Sequence, residues 1–260
     1  MTDLDEIIGG VKKRIQAACA RSGRNESEIE IIAVTKTHVE ETVREAWECG
    51  LGIVGENKVQ EAAWKKARSI SGPEWHLIGH LQGNKVRAAL EIFDFFHSVD
   101  SVKLLRRINA VAEEIGAAPH ILLEVNVSGE KSKTGMKPEE VDEAVRAVME
   151  SCPRITLEGF MTMAPFSENP EDARPYFRSL RKLRDEVERR YSISLPRLSM
   201  GMSGDYEVAI EEGATWIRLG TVLFGERPKI KRVAAAADDG CSAGGLDSYS
   251  GEGPTCRILD

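Results

Sequence analysis

Ile31-Ile-Ala-Val-Thr-Lys36 is a short apolar run, largely β-branched, that stops on a lysine. Directly after it, Thr37 and Glu40 have capping-box spacing, Val39, Val43, Ala46 and Trp47 recur at helical spacing, and Gly50 stands where a helix would end. The stretch predicts a strand that delivers Lys36 to a strand-to-helix turn. In parallel α/β folds that turn lies on the rim where ligands bind. A lysine with part of its stem buried can lose its proton near neutral pH and add to a carbonyl as a Schiff base. The ordinary alternative is a solvated lysine at a strand end.

The same unit repeats along the chain. Apolar runs at 53–55, 75–78, 95–99, 121–127, 157–163, 197–199 and 215–219 predict further strands, and each of the first six is followed by a helical pattern. A weaker pattern at 206–212 links the last two, and an amphipathic helix through Leu4, Ile7, Ile8, Val11, Ile15 and Ala18 precedes the first strand. Eight strand-helix alternations in about 200 residues predict a single (β/α)₈ TIM barrel, with 1–232 as the folded domain. Residues 233–260 turn Ala-rich and then Gly/Ser/Asp-rich, which predicts a flexible low-complexity tail.

Composition narrows the partners. A net charge of −7 over 260 residues opposes a general nucleic-acid binder, so any phosphate must be met locally. The first twenty residues carry Asp3, Asp5 and Glu6 without a continuous apolar stretch, unlike a secretory or transit peptide, and no segment reads as a membrane span. Five dispersed cysteines fit a reducing cytoplasm better than a disulfide framework. Oligomeric state is left open, with a monomer as the working expectation.

A second informative stretch is Ser199-Met-Gly-Met-Ser-Gly-Asp205, after the seventh strand. Gly201 and Gly204 let backbone approach a ligand, Ser203 offers a hydroxyl, and the next helix offers unpaired N–H groups. Gly220 and Thr221 repeat the offer after the eighth strand. Barrels frequently hold a phosphate between these two loops. Strand eight closes against strand one, so Lys36 and the glycine-bearing turns become neighbours. A molecule carrying both an aldehyde and a phosphate suits both, and pyridoxal 5′-phosphate is the obvious cofactor of that kind. Arg218 would then face its pyridine nitrogen and discourage protonation there; the alternative is a rim arginine paired with a carboxylate.

With these residues in place, the chain resembles the pyridoxal phosphate homeostasis protein family, also called the YggS or PROSC family. The likeness runs from the N-terminal helix to about Pro228 and is carried by Ala33-Val-Thr-Lys-Thr37, Gly55-Glu-Asn-Lys-Val-Gln-Glu61, Trp75-His-Leu-Ile-Gly-His-Leu-Gln-Gly-Asn-Lys85, Val125-Asn-Val-Ser128, Leu198-Ser-Met-Gly-Met-Ser203, Arg218-Leu-Gly-Thr221 and Phe224-Gly225. The resemblance implies a barrel related to the N-terminal domain of alanine racemase, with Lys36 as the Schiff-base lysine. It further implies that Ser199, Ser203, Gly220 and Thr221 hold the phosphate, with Asn57 and Arg218 beside the cofactor. Members of that family are regarded as carriers or regulators of the cofactor without a robust reaction of their own, with pyridoxal-phosphate-dependent apoenzymes as partners. His80 departs from the proline often found there in relatives, which bears on loop shape.

The main rival is an amino-acid racemase using the same cofactor. It needs proton-transfer groups on both faces of a bound amino acid, and only Tyr206 among the tyrosines falls near the rim. A sugar-phosphate aldolase with Lys36 as its Schiff-base lysine lacks a recognisable acid/base partner. Metal binding at His76 and His80 is disfavoured, because Gly79 breaks the strand between them. Lys131, Lys133 and Lys137 read as solvated loop lysines, and the basic run from Arg178 to Arg190 as an exposed helix face.

Overall fold

The computed structural model describes residues 3–130 and 133–225. The expected domain boundary at 232 and the tail at 233–260 lie outside these described residues. Strands β1 (Glu30–Val34), β2 (Ile53–Glu56), β3 (Glu74–Leu77), β4 (Phe95–Val99), β5 (His120–Glu124), β6 (Thr156–Met161), β7 (Arg197–Met202) and β8 (Trp216–Leu219) form a closed parallel barrel in sequence order. Closure comes from β8 pairing with β1, where Ala33 registers with Leu219. The TIM barrel is thus present.

Strand alternation sorts side chains into two layers. Trp75, Leu77, Phe96, Leu123, Phe160, Leu198, Ile217 and Leu219 belong to the large core shared with the surrounding helices. Ile32, Ile53, Leu122, Met161 and Trp216, with Phe95 against them, form a separate cluster. By alternation this second cluster is the barrel interior. It is not wholly apolar, since His76, His97, Ser199 and Arg218 occupy alternate positions with them and are also buried. Trp216 lies among these groups, its ring stacked on His97 at 5.0 Å between centroids and its Nε1–H donated to Glu30 at 2.8 Å.

The helices follow from ordinary signals. Helix α1 (Asp3–Ser22) buries Ile8, Val11, Ile15, Ala18 and Cys19. Gly23 follows it with φ 69°. Helices α2 (Glu41–Glu48), α3 (Val59–Lys66) and α4 (Val86–Leu90) follow the first three strands. Helix α5 (Val102–Ile115) is capped by the Ser101 side chain, which accepts from the Leu104 N–H, and stops at left-handed Gly116. Helices α6 (Val141–Ser151), α7 (Arg174–Tyr191), α8 (Tyr206–Glu211) and the short α9 (Thr221–Phe224) complete the ring. Ion pairs Arg14–Glu207 at 2.6 Å and Arg21–Glu211 at 2.6 Å tie α1 to α8.

Three local expectations change. Thr37 is not a helix cap: α2 begins at Glu41, Glu40 makes no side-chain cap, and Val39 is exposed. The basic run on α7 is only partly a free surface, because Arg178 and Arg181, with Arg174, converge on the buried Glu212 at 2.8, 3.0 and 3.2 Å. Strand β7 is longer than the apolar pattern indicates, running on through Gly201 to Met202.

Candidate functional site

The C-terminal ends of the strands open into a cavity of 380 Å³ whose wall includes Lys36, Asn57, Ser203, Arg218, Gly220 and Thr221. Six of the seven residues singled out from the sequence therefore share one space. That volume lies in the ordinary range for small-ligand sites. Ser199 is the exception: it is fully buried, does not line the cavity, and places its hydroxyl 2.7 Å from Arg218 Nη1 and 2.9 Å from His97 Nδ1. Its contact is with the arginine rather than with the cavity.

Lys36 follows β1 by two residues, on a turn held from both sides. Before it, the Thr35 carbonyl accepts from Lys65 Nζ at 2.7 Å; after it, the Thr37 N–H donates to Glu61 Oε1 at 2.5 Å. Lys65 also donates to Glu56 and Glu61 at 2.7 and 2.8 Å, and the Thr35 hydroxyl donates to Glu56 at 2.6 Å. Burial pulls the Glu56 carboxyl above its usual range, against Lys65 and Thr35. Burial also pulls Glu61 upward, but Lys65 and the Thr37 N–H win and hold it below. This network over-determines the turn, and it holds Thr37 at φ 68°, a conformation a threonine rarely adopts.

Across the cavity, Arg218 donates to Ser199 at 2.7 Å and to the Thr162 carbonyl at 2.9 Å. Among the described residues no carboxylate contacts it directly, so no partner there makes it the paired rim arginine of the alternative reading. Burial lowers its pKa to about 10, opposed by the charges of Asp205 and Glu124, and at neutral pH it stays cationic. The anion-facing loops are stitched together, because Ser203 Oγ accepts from the Val222 N–H at 3.2 Å and keeps its own proton to donate. Asp205 accepts from the Met202 N–H at 2.6 Å, fixing that loop. Gly201 does not face the ligand space: a side chain there would meet Ala209 and Tyr206 of α8 at 2.6 and 3.0 Å, so its role is close packing of that helix.

The alanine racemase N-terminal domain model matches residues 11–228. The pyridoxal phosphate homeostasis protein of Aquifex aeolicus is 47% identical over 223 residues, covering 85% of this chain and 97% of that protein. Its counterpart in Pseudomonas aeruginosa is 40% identical, covering 87% and 97%. Among solved structures, PipY of Synechococcus elongatus with PLP bound superposes with a TM-score of 0.73 at 35% identity, covering 83% of this chain and 100% of that one.

The chain belongs to the pyridoxal phosphate homeostasis protein family.

For this family member the cavity also contains groups that the sequence reading missed. Glu124, at the end of β5, is buried on the cavity wall, accepts from the Thr134 hydroxyl at 2.5 Å, and is raised by burial. A carboxylate ending an otherwise apolar strand was the available signal, the same one that marks Lys36. Lys133 is not a solvated loop lysine: its side chain is 20% exposed, it donates to the Met163 carbonyl at 3.0 Å, and burial lowers its pKa. Tyr206 is buried, its ring beneath the Arg14 guanidinium and its hydroxyl without a hydrogen-bond partner among the described residues, and it does not line the cavity. His76 and His80 separate as the break at Gly79 implies, the first buried and the second half-exposed on the rim with Asp100 at 3.0 Å.

Proposed function

We propose that this chain binds pyridoxal 5′-phosphate as a Schiff base on Lys36 and serves intracellular vitamin B6 homeostasis without a robust reaction of its own. The observation that carries the reading is the shared cavity. A primary amine stands on one wall, a hydroxyl-and-glycine cup of Ser203, Gly220 and Thr221 on another, and Arg218 beside them. The residues fit the group: an amine for an aldehyde, two hydroxyls and small residues for a phosphate, and a cation that disfavours protonation of a pyridine nitrogen. When bound, the cofactor supplies an electron sink for amino-acid chemistry. The charged Arg218 weakens that sink, which favours holding over turnover. The relatives bearing the homeostasis name, and PipY with PLP, support the same conclusion. Cofactor-dependent apoenzymes are the partners this role implies.

The test is a visible absorption spectrum of purified protein incubated with pyridoxal phosphate, before and after borohydride, repeated on Lys36→Ala. The parent is expected to show a band that reduction removes, and the variant to lose it or retain it only weakly. An undiminished band in Lys36→Ala moves the attachment point elsewhere.

The second reading, an amino-acid racemase, is favoured by one observation: Glu124 brings a buried carboxyl into the cavity that holds Lys36. Incubation with single-enantiomer amino acids in deuterated water separates the two. Rapid α-deuterium uptake with loss of optical purity selects the racemase.

A further inference from the structure

The interior of the barrel carries a continuous line of hydrogen bonds that the cavity alone does not explain. Arg218 Nη1 lies 2.7 Å from Ser199 Oγ, Ser199 Oγ 2.9 Å from His97 Nδ1, His97 Nε2 2.9 Å from His76 Nδ1, and His76 Nε2 2.6 Å from Glu74 Oε1. Ser199, His97 and His76 are all buried. Glu74 opens β3, at the end of the barrel opposite the cavity, and its side chain is 43% exposed. The line therefore runs from one mouth of the barrel to the other.

Its polarity is fixed by its ends. A guanidinium can only donate and an ionised carboxylate can only accept. Between them, three neutral groups each have one proton to give. The serine hydroxyl must donate to His97 Nδ1, His97 must carry its proton on Nε2 and donate to His76 Nδ1, and His76 must carry its own on Nε2 and donate to Glu74. Every proton is displaced toward Glu74, and every lone pair faces Arg218. Burial favours neutral imidazoles at both histidines, and the His76 bond lowers Glu74, in agreement with that assignment.

We propose that Glu74 is a remote counter-ion of Arg218 in addition to Asp205 and Glu124, acting through His76, His97 and Ser199 as a polarised hydrogen-bond relay that orients the guanidinium toward the ligand cavity. The three interior groups and Glu74 are positioning residues. Among the described residues this buried guanidinium hydrogen-bonds only to a hydroxyl and a carbonyl, with the charges of Asp205 and Glu124 acting on it from a distance, and aligned dipoles ending on a third carboxylate add to that compensation. Among the described residues this placement leaves the arginine's cavity side clear of a direct carboxylate contact. The effect on cofactor binding rests on the reading given under Proposed function; the existence of the relay does not.

The experiment has two arms. In cofactor-free full-length protein with ¹⁵N-labelled histidine and arginine, NMR at neutral pH is expected to report His76 and His97 as neutral Nε2–H tautomers and to show slowly exchanging Arg218 guanidinium protons, with exchange faster in Ser199→Ala and restored in Ser199→Thr. An Nδ1–H tautomer or an imidazolium at either histidine overturns the relay. In the second arm, Glu74→Gln, which keeps an acceptor for His76 but removes the charge, is expected to weaken pyridoxal phosphate binding by about fivefold to tenfold. Glu158→Gln removes a carboxylate that bonds His120 outside the relay and is expected to leave binding unchanged. Equal losses in both variants, or no loss in Glu74→Gln, overturn the proposal. If the parent binds no pyridoxal phosphate, the functional reading falls, while the first arm still decides the relay.

Discussion

The ammonium of Lys65 sits 2.7 Å from the backbone carbonyl of Thr35, the residue that precedes Lys36. A lysine on α3, one strand-helix unit later, is thus buried to fix the backbone from which the candidate reactive lysine projects, and its charge is met by Glu56 and Glu61. One cation is held by two carboxylates so that the other can be placed.

Lys65→Met leaves Glu56 buried without its counter-ion and is expected to cost about 3–5 kcal/mol in urea denaturation. The double variant Lys65→Met/Glu56→Gln is expected to recover most of that loss, because the fully buried charge is gone and Glu61 is partly exposed and keeps the Thr37 N–H. A double variant as unstable as the single would show that the cost lies in packing.

Gly79→Ala tests the approach of two loops. A methyl group at Gly79 would stand 2.4 Å from the Asn57 carbonyl oxygen and 2.7 Å from its Cα, both backbone atoms that cannot swing aside. The expected cost is about 1–3 kcal/mol of stability, together with weaker ligand binding as Asn57 is displaced. Gly204→Ala, where nothing lies within 4 Å, is expected to change stability by no more than about 0.5 kcal/mol.

Ser203→Ala removes the acceptor of the Val222 N–H and a donor from the anion cup. The expected loss is about 1–2 kcal/mol of binding free energy for pyridoxal phosphate, with a parallel loss for inorganic phosphate as competitor. Calorimetric titration of both ligands checks it. Losing affinity for pyridoxal phosphate alone would place the phosphate elsewhere.

Glu124 sets a pH dependence of definite sign. Its folded-state pKa is raised by burial, so the folded chain holds the proton more tightly than the unfolded chain does. Stability contributed by the neutral carboxyl is therefore present below the ordinary glutamate value of 4.5 and lost as pH rises through the raised one. Glu124→Gln is expected to be more stable than the parent at neutral pH, with the difference closing in acid. Urea melts at several pH values check this, and an advantage that grows on acidification would contradict it.

The barrel was legible because its signals are local: apolar runs of strand length interleaved with helical periodicity, repeated until closure was the economical answer. Lys36 was legible for the same reason, since a charge ending an apolar run marks the rim. What escaped depends on contacts across sequence. Thr37 and Glu40 had the spacing of a cap, but Glu61, one unit later, takes the Thr37 N–H and the helix starts beyond it. Lys65 on a helix reads as solvated until Glu56 and Thr35 are seen to converge on it. Ser199 sat inside the right motif and faces inward from it, because strand β7 extends past it and alternation turns its hydroxyl to Arg218.

Trp216 gives this interior an optical reporter. Its indole lies within 5.0 Å of both His76 and His97 and is shielded from water, whereas Trp47 and Trp64 are partly open to solvent. With Trp47, Trp64 and Trp75 replaced by phenylalanine, the remaining fluorescence would come from the barrel axis alone, and changes around those two rings would register in the colour and intensity of the emitted light.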